Sequence, residues 1–246
     1  MSGKITSREY ALIANRVYQI DKRVTARKDK SWTVEGFKCA GFKEGMSWGA
    51  TNTDFKGCTY VCPGRKEVVV AFQGTDLKKG GDLVCDLQIA LGGFVGMLPQ
   101  YCSAALRLLE GTQKTYPAYA ISFVGHSLGG AMAQVLGHWT GLPFVTFNAP
   151  GMWGDIQRSK LVLAWSPTNS ALSLGGTLKG PLLAKQNATT GRNFRNALDP
   201  VSLGGAHYGP VTRFWGTGLH SMDDMVERIV ASRWKDVNPF DPKYKE

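Results

Sequence analysis

The chain predicts an α/β fold in which a mainly parallel central sheet is flanked by helices. Three observations carry that prediction. Glu67-Val68-Val69-Val70-Ala71-Phe72 is a near-continuous β-branched run, as expected of a strand covered on both faces. Ile121-Ser122-Phe123-Val124 is a second strand-like run that passes through Gly125-His126-Ser127-Leu128-Gly129 into helix-like Ala131-Met132-Ala133-Gln134-Val135-Leu136. Further strand and helix patterns then alternate, which argues for parallel strands with ligands collecting at their carboxyl ends.

Taken in order, Thr6 to Val24 has Tyr10, Ile13, Ala14 and Val17 at helical spacing and predicts an amphipathic entry helix. Ser31 to Pro63 is rich in glycine, threonine, aromatics and cysteine, a pattern that suits short antiparallel strands joined by turns. Met97 to Tyr116 is helical in pattern and is stopped by Pro117. Pro143 to Phe147 and Asn193 to Leu198 are further strand candidates, ending at Asn148-Ala149-Pro150-Gly151 and at Asp199-Pro200. Residues 166–192 show little period and predict loop with a short helix. From about Asp223 to Trp234 the pattern is helical again, with Asp223 and Asp224 placed to cap it.

With 246 residues, 43% of them hydrophobic, the chain suits a single domain over residues 1–246 with one core. No apolar stretch is long enough to span a bilayer, and the first 23 residues carry scattered charges and no apolar h-region. Synthesis in the cytoplasm without a signal peptide is therefore expected. Five cysteines, with Cys58 and Cys62 the close pair, form neither a disulfide framework nor a zinc pattern, so no metal and no cofactor are expected. The net charge of +10 favours polyanionic surfaces, but the lysines and arginines are scattered and no nucleic-acid motif accompanies them; nucleic acid is not the expected partner.

The two glycines around Ser127 permit a sharp strand-to-helix turn that presents its hydroxyl at the sheet edge, so Ser127 is the candidate nucleophile. A hydroxyl needs an imidazole as base and an acid to orient it. Of the four histidines, His126 adjoins the serine and is expected to point away from it, and His138 lies too far along the following helix. Between His207 and His220, His220 is the better base, because it sits on a loop before the last helix that can overhang the sheet edge. Asp199, at a strand end before Pro200, is the candidate acid. The chain order Ser127, Asp199, His220 is the one found in α/β-hydrolases. For the oxyanion, the backbone N–H of Leu128 is one expected donor, and Thr75, after the strand ending Phe72-Gln73-Gly74, is the second.

These blocks together resemble the class 3 (fungal-type) lipase family of the α/β-hydrolase superfamily. AFQGTD is similar to that family's oxyanion motif, with Gln73 where arginine is usual; Asp82-Leu83-Val84-Cys85-Asp86-Leu87 is similar to its D-W-x-x-D-L; and Gly93-Phe94, GHSLGG, FNAPG, RNALDPVS and a late histidine follow in order. The resemblance covers about residues 65 to 225 and implies esterase activity on acylglycerols or phospholipids, a Ser127-Asp199-His220 triad, and Thr75 and Leu128 in the oxyanion hole. It also makes His207 the counterpart of a histidine commonly found after the acid, distinct from the base. Acid and base are 21 residues apart, closer than in the fungal enzymes.

Residues Asp76 to Ala90 would form the lid of such a lipase, with Lys78 and Lys79 beside an apolar face formed by Leu77, Leu83, Val84, Leu87 and Ile89. Peripheral contact with an anionic phospholipid surface is the expectation that follows. Small-ester hydrolysis, acyl transfer and non-catalytic lipid binding are the alternatives on the same fold. Basic, signal-less lipases of this kind also resemble bacterial antibacterial phospholipase effectors. That likeness implies export by a specialised, type VI-like secretion system, toxicity, and an immunity protein as partner.

Overall fold

A computed structural model describes residues 4–19, 33–34, 36–44, 47–48, 51–52, 55–74, 101–152, 190–216 and 220–244. Thr75, the lid segment 76–90 and most of the 166–192 loop fall outside these residues.

Helix α1 (Ser7–Arg16) begins at Thr6, whose side chain accepts from the Glu9 N–H while the Glu9 carboxylate accepts from the Thr6 N–H. This reciprocal pairing satisfies two otherwise orphaned donors and explains why the helix starts where it does. The helix is shorter than the sequence periodicity predicts: Arg16 ends it and Val17–Gln19 tightens into a 3-10 turn that carries Tyr18.

Strands β1 (Thr33–Val34), β2 (Phe37–Glu44), β5 (Lys56–Cys62), β6 (Glu67–Phe72), β7 (Ala120–His126), β8 (Phe144–Phe147), β9 (Gly191–Asn196) and β10 (Val211–Phe214) form one sheet in that order. A small two-stranded ladder of β3 (Ser47–Trp48) and β4 (Thr51–Asn52) lies apart from it. The ladders from β1 through β6 are antiparallel and those from β6 through β10 are parallel. The β-branched run 67–72 thus joins the two halves, pairing antiparallel with β5 and parallel with β7. Strand β10 had no counterpart among the strands expected from sequence; its four residues are too short for alternation to stand out.

The β6 side chains divide by parity between two apolar layers. Val68, Val70 and Phe72 pack on one face with Phe123, Leu108, Leu109 and Met132. Val69 and Ala71 pack on the other with Val124, Tyr10, Ile13, Met225 and Ile229. Helix α2, described over residues 101–115, and helix α3 (Leu128–Thr140) cover the first face. Helix α1 and helix α4 (Met222–Ala231) cover the second.

Helix α4 fixes the approach of residue 220. Its N-cap is Ser221, which accepts from the Asp224 N–H, so Asp223 and Asp224 sit in the first turn and do not cap it as the sequence suggested. The two aspartates tie the helix to its surroundings instead: Asp223 accepts from Asn15 of α1 at 2.8 Å, and Asp224 accepts from Asn196 at the end of β9 at 3.0 Å and from Arg228 at 2.7 Å. The Arg228 hydrogen bond is the main reason the Asp224 carboxyl is held below its ordinary range.

Candidate active site

The carboxyl ends of the parallel strands bring residues 73–74, 127, 148, 196–199 and 215 to one edge of the sheet. At that edge Ser127 has φ 55° and ψ −128°, a conformation that an L side chain rarely adopts. Two packed backbones hold it there. A Cβ at Gly125 would lie 2.2 Å from the Gly129 carbonyl group, and one at Gly129 would lie 2.1 Å from the Phe72 carbonyl oxygen. The glycines thus let the end of β7, the first turn of α3 and the end of β6 approach more closely than any side chain would permit. Ser127 donates its N–H to Phe147 and accepts from Ala131, which fastens the turn on both sides.

Leu128 is the first residue of α3, where backbone N–H groups have no intrahelical partner and point out of the helix start. Any charge developing beside Ser127 therefore meets free donors and the positive end of a 13-residue helix.

Asp199 follows β9 and is fully buried. Its Oδ1 accepts from the Val201 N–H at 3.2 Å and its Oδ2 from the Ser202 N–H at 3.1 Å, so a local turn orients the carboxylate. The same Oδ1 lies 3.0 Å from Nδ1 of His220. His220 is buried, and among the described residues its Nε2 has no hydrogen-bond partner; nor does the buried Ser127 Oγ. The acid and base named from sequence are therefore in contact, and the serine and imidazole do not hydrogen-bond in this state. Michaelis-type geometry often tightens only when substrate arrives.

The remaining histidines divide clearly. His207 is bound through Nε2 to the Ala149 carbonyl at 2.9 Å, and burial lowers its pKa. His138 is buried in α3 with its ring edge-on to Tyr208. His126 reaches the residue named as base, a contact that the sequence reading did not foresee. Its ring centroid is 4.7 Å from that of His220, its Nε2 is 3.0 Å from the His220 carbonyl oxygen, and its Nδ1 is 2.9 Å from the Tyr18 hydroxyl. The usable signal was strand parity, because residue 126 shares the face of Val124, where α1 and α4 pack. Tyr18 had no such signal, being over a hundred residues away in the chain.

Comparison with known proteins adds the family. A model described as "Phospholipase-like: Tle-like phospholipase domain" matches residues 9–171, more than half of the chain. The chain belongs to the Tle-like phospholipase family. That membership agrees with the lipase resemblance carried by the sequence blocks. Among curated relatives, the protein named "Putative lipase ATG15" of Candida glabrata is 50% identical over 64 residues, which is 26% of this chain and 13% of the relative. Its namesake in Pichia angusta is 26% identical over 189 residues, 61% of this chain and 34% of the relative. The chain thus spans only a minor part of the length of these relatives. A triacylglycerol lipase from Penicillium expansum is similar in structure, with a TM-score of 0.46, 15% identity, and 87% of this chain and 79% of that one covered.

Proposed function

We propose that this Tle-like phospholipase family member hydrolyses carboxylic ester bonds of membrane phospholipids through Ser127, His220 and Asp199. One observation carries the reading: His220 has Nδ1 on a buried, backbone-anchored carboxylate, while its Nε2 and the strained Ser127 hydroxyl are both buried without partners among the described residues. An ester bound at this edge of the sheet would give the hydroxyl of a nucleophile and the free nitrogen of a base each a reaction partner.

The chemistry follows from those atoms. Ser127 Oγ attacks the ester carbonyl carbon as His220 Nε2 takes its proton, and Asp199 stabilises the resulting imidazolium. The carbonyl π electrons move onto oxygen, which accepts from the Leu128 N–H and from Thr75. Collapse breaks the bond to the alkoxy oxygen, which leaves with the proton from His220. A water molecule, deprotonated by the same imidazole, then attacks the acyl-serine; the fatty acid departs and Ser127 regains its proton.

Contact with a bilayer surface is supported by the rim of the same edge. Trp215 is 78% exposed, Leu198 60% and Leu203 54%, in the same chain segments as Arg195 and Arg213, on a chain of net charge +10. Amphipathic tryptophan with nearby cations suits the headgroup region of an anionic leaflet. Among the described residues no helix is long and apolar enough to cross a membrane, so the contact proposed is peripheral. Export as a toxic effector with an immunity partner belongs to the same proposal.

The test is lipid analysis of anionic phospholipid vesicles incubated with wild type and Ser127→Ala. Lysophospholipid and free fatty acid released by wild type alone support the reading; equal release by both proteins, or none by either, defeats it.

A further inference from the structure

We propose that Tyr18 and His126 are positioning residues that tie the backbone of His220 to the strand end at Gly74, linking the base side of the site to the oxyanion side. The inference rests on the triad reading above and concerns how that triad is held.

The hydrogen bonds leave one consistent arrangement of protons. The His220 carbonyl oxygen can only accept, so the His126 Nε2, 3.0 Å away, carries the proton. In a neutral ring Nδ1 is then bare, and it accepts the Tyr18 O–H at 2.9 Å. The Tyr18 oxygen, having donated, accepts the Gly74 N–H at 3.1 Å. A second acceptor near that hydroxyl, the His126 carbonyl oxygen, is at 3.5 Å, too long to compete with Nδ1. Every group runs in one direction, from the Gly74 N–H through Tyr18 and His126 to the His220 carbonyl.

Burial, reinforced by the neighbouring His220, pushes the His126 pKa well below its ordinary value, so the ring remains neutral and keeps this tautomer. The Tyr18 ring meets it edge-on at 5.7 Å and 71°, and the His220 ring is tilted against it at 4.7 Å and 39°. The chain also requires the residue type at position 74: a Cβ there would sit 2.5 Å from the Tyr18 hydroxyl and 2.7 Å from the His126 carbonyl oxygen. Gly74 immediately precedes Thr75, the proposed oxyanion donor.

The consequence lies in how His220 is anchored. Asp199 fixes one edge of the imidazole, but a ring held at Nδ1 alone can still pivot with its backbone. The His126 N–H fixes the carbonyl of the same residue, so ring and backbone are each tethered and Nε2 is aimed along one line. Small displacements of a base cost large factors in rate, which gives a residue acting through another a measurable effect.

The experiment compares wild type with Tyr18→Phe, His126→Gln, His126→Phe and the Tyr18→Phe/His126→Phe double variant. Readouts are kcat and KM on a soluble short-chain ester, the second-order rate of fluorophosphonate labelling at Ser127, and the melting temperature. His126→Phe should lower kcat and labelling together by about ten- to a hundred-fold while KM stays within about two-fold. His126→Gln, whose amide N–H can reach the His220 carbonyl, should recover most of that loss. Tyr18→Phe should lower both rates by about five-fold, and the double variant should be no worse than His126→Phe, since residues acting as one chain are not additive. Should His126→Phe not fold, Tyr18→Phe decides by the same readouts. Folded Tyr18→Phe and His126→Phe labelled within two-fold of wild type, or losses that multiply in the double variant, would overturn the proposal. A wild type that is not labelled at Ser127 would instead defeat the triad reading, and the positioning proposal with it.

Discussion

The Asp199 carboxylate and the His220 imidazole, 21 residues apart in sequence, meet at 3.0 Å, with the carboxylate already held by the Val201 and Ser202 N–H groups. The pair is rigid on the acid side, so its chemistry is expected to fail sharply when the charge is removed. Asp199→Asn should retain the fold and lower kcat by about 10³- to 10⁴-fold, because an amide in place of the carboxylate neither holds the required tautomer nor stabilises the imidazolium. Vesicle hydrolysis measured beside a thermal melt checks this; a kcat within ten-fold of wild type would remove Asp199 from the mechanism.

The buried neutral histidines give stability a defined pH dependence. Burial lowers the pKa of His126 well below, and that of His207 below, the ordinary value of 6.5. Above that value both are neutral in folded and unfolded chains and contribute no slope. Below it the unfolded chain binds protons that the folded protein refuses, so stability is lost as pH falls from about 6.5 toward the depressed folded values, at up to about 1.4 kcal/mol per pH unit for each group. Urea unfolding at pH 7 and pH 5 should show the decline, and His207→Gln should make it shallower; an unchanged slope in that variant would contradict the assignment.

Gly125→Ala tests the packing of the turn. The added methyl would lie 2.2 Å from the Gly129 carbonyl group, backbone that cannot rotate aside. Overpacking of this kind costs about 1–3 kcal/mol, and the displaced turn carries Ser127 with it. We expect a lower urea midpoint and loss of Ser127 labelling together. Wild-type stability would mean that the elbow can relax.

The exposed rim predicts a separation of membrane binding from chemistry. Leu198→Ser, Leu203→Ser and Trp215→Ser combined should reduce cosedimentation with anionic vesicles by about ten-fold, at roughly 1 kcal/mol or less per exposed side chain, while hydrolysis of a soluble short-chain ester stays near wild type. Undiminished cosedimentation would assign the contact to another surface.

The cysteines pair differently from their spacing. Cys58 lies beside Cys39 of the neighbouring strand, Sγ to Sγ 2.7 Å, and not beside Cys62. Oxidised glutathione should accept two electrons and two protons from this pair and leave a Cys39–Cys58 cross-link identifiable by peptide mass mapping. Because burial and Cys39 push the Cys58 thiol well above its usual range, closure should be faster at alkaline pH. A Cys58–Cys62 link, or none after prolonged exposure, would contradict the pairing.

Much of this was set by local sequence. Short runs rich in β-branched and aromatic residues, such as 67–72 and 144–147, read as buried strands, and Gly125 and Gly129 around Ser127 announce a turn that no bulkier residue would tolerate. The family blocks then name Asp199 and His220 because each sits at a recognisable element boundary. What local patterns do not encode is which remote faces meet. The contact of Cys39 with Cys58, the tie from Asp223 to Asn15, and the convergence of Tyr18, His126 and His220 depend on strand register and on which face α1 covers. The reason is physical: turn geometry and burial periodicity act over a few residues and leave their mark in the chain, whereas hydrogen bonds between distant side chains form only after the apolar layers have packed.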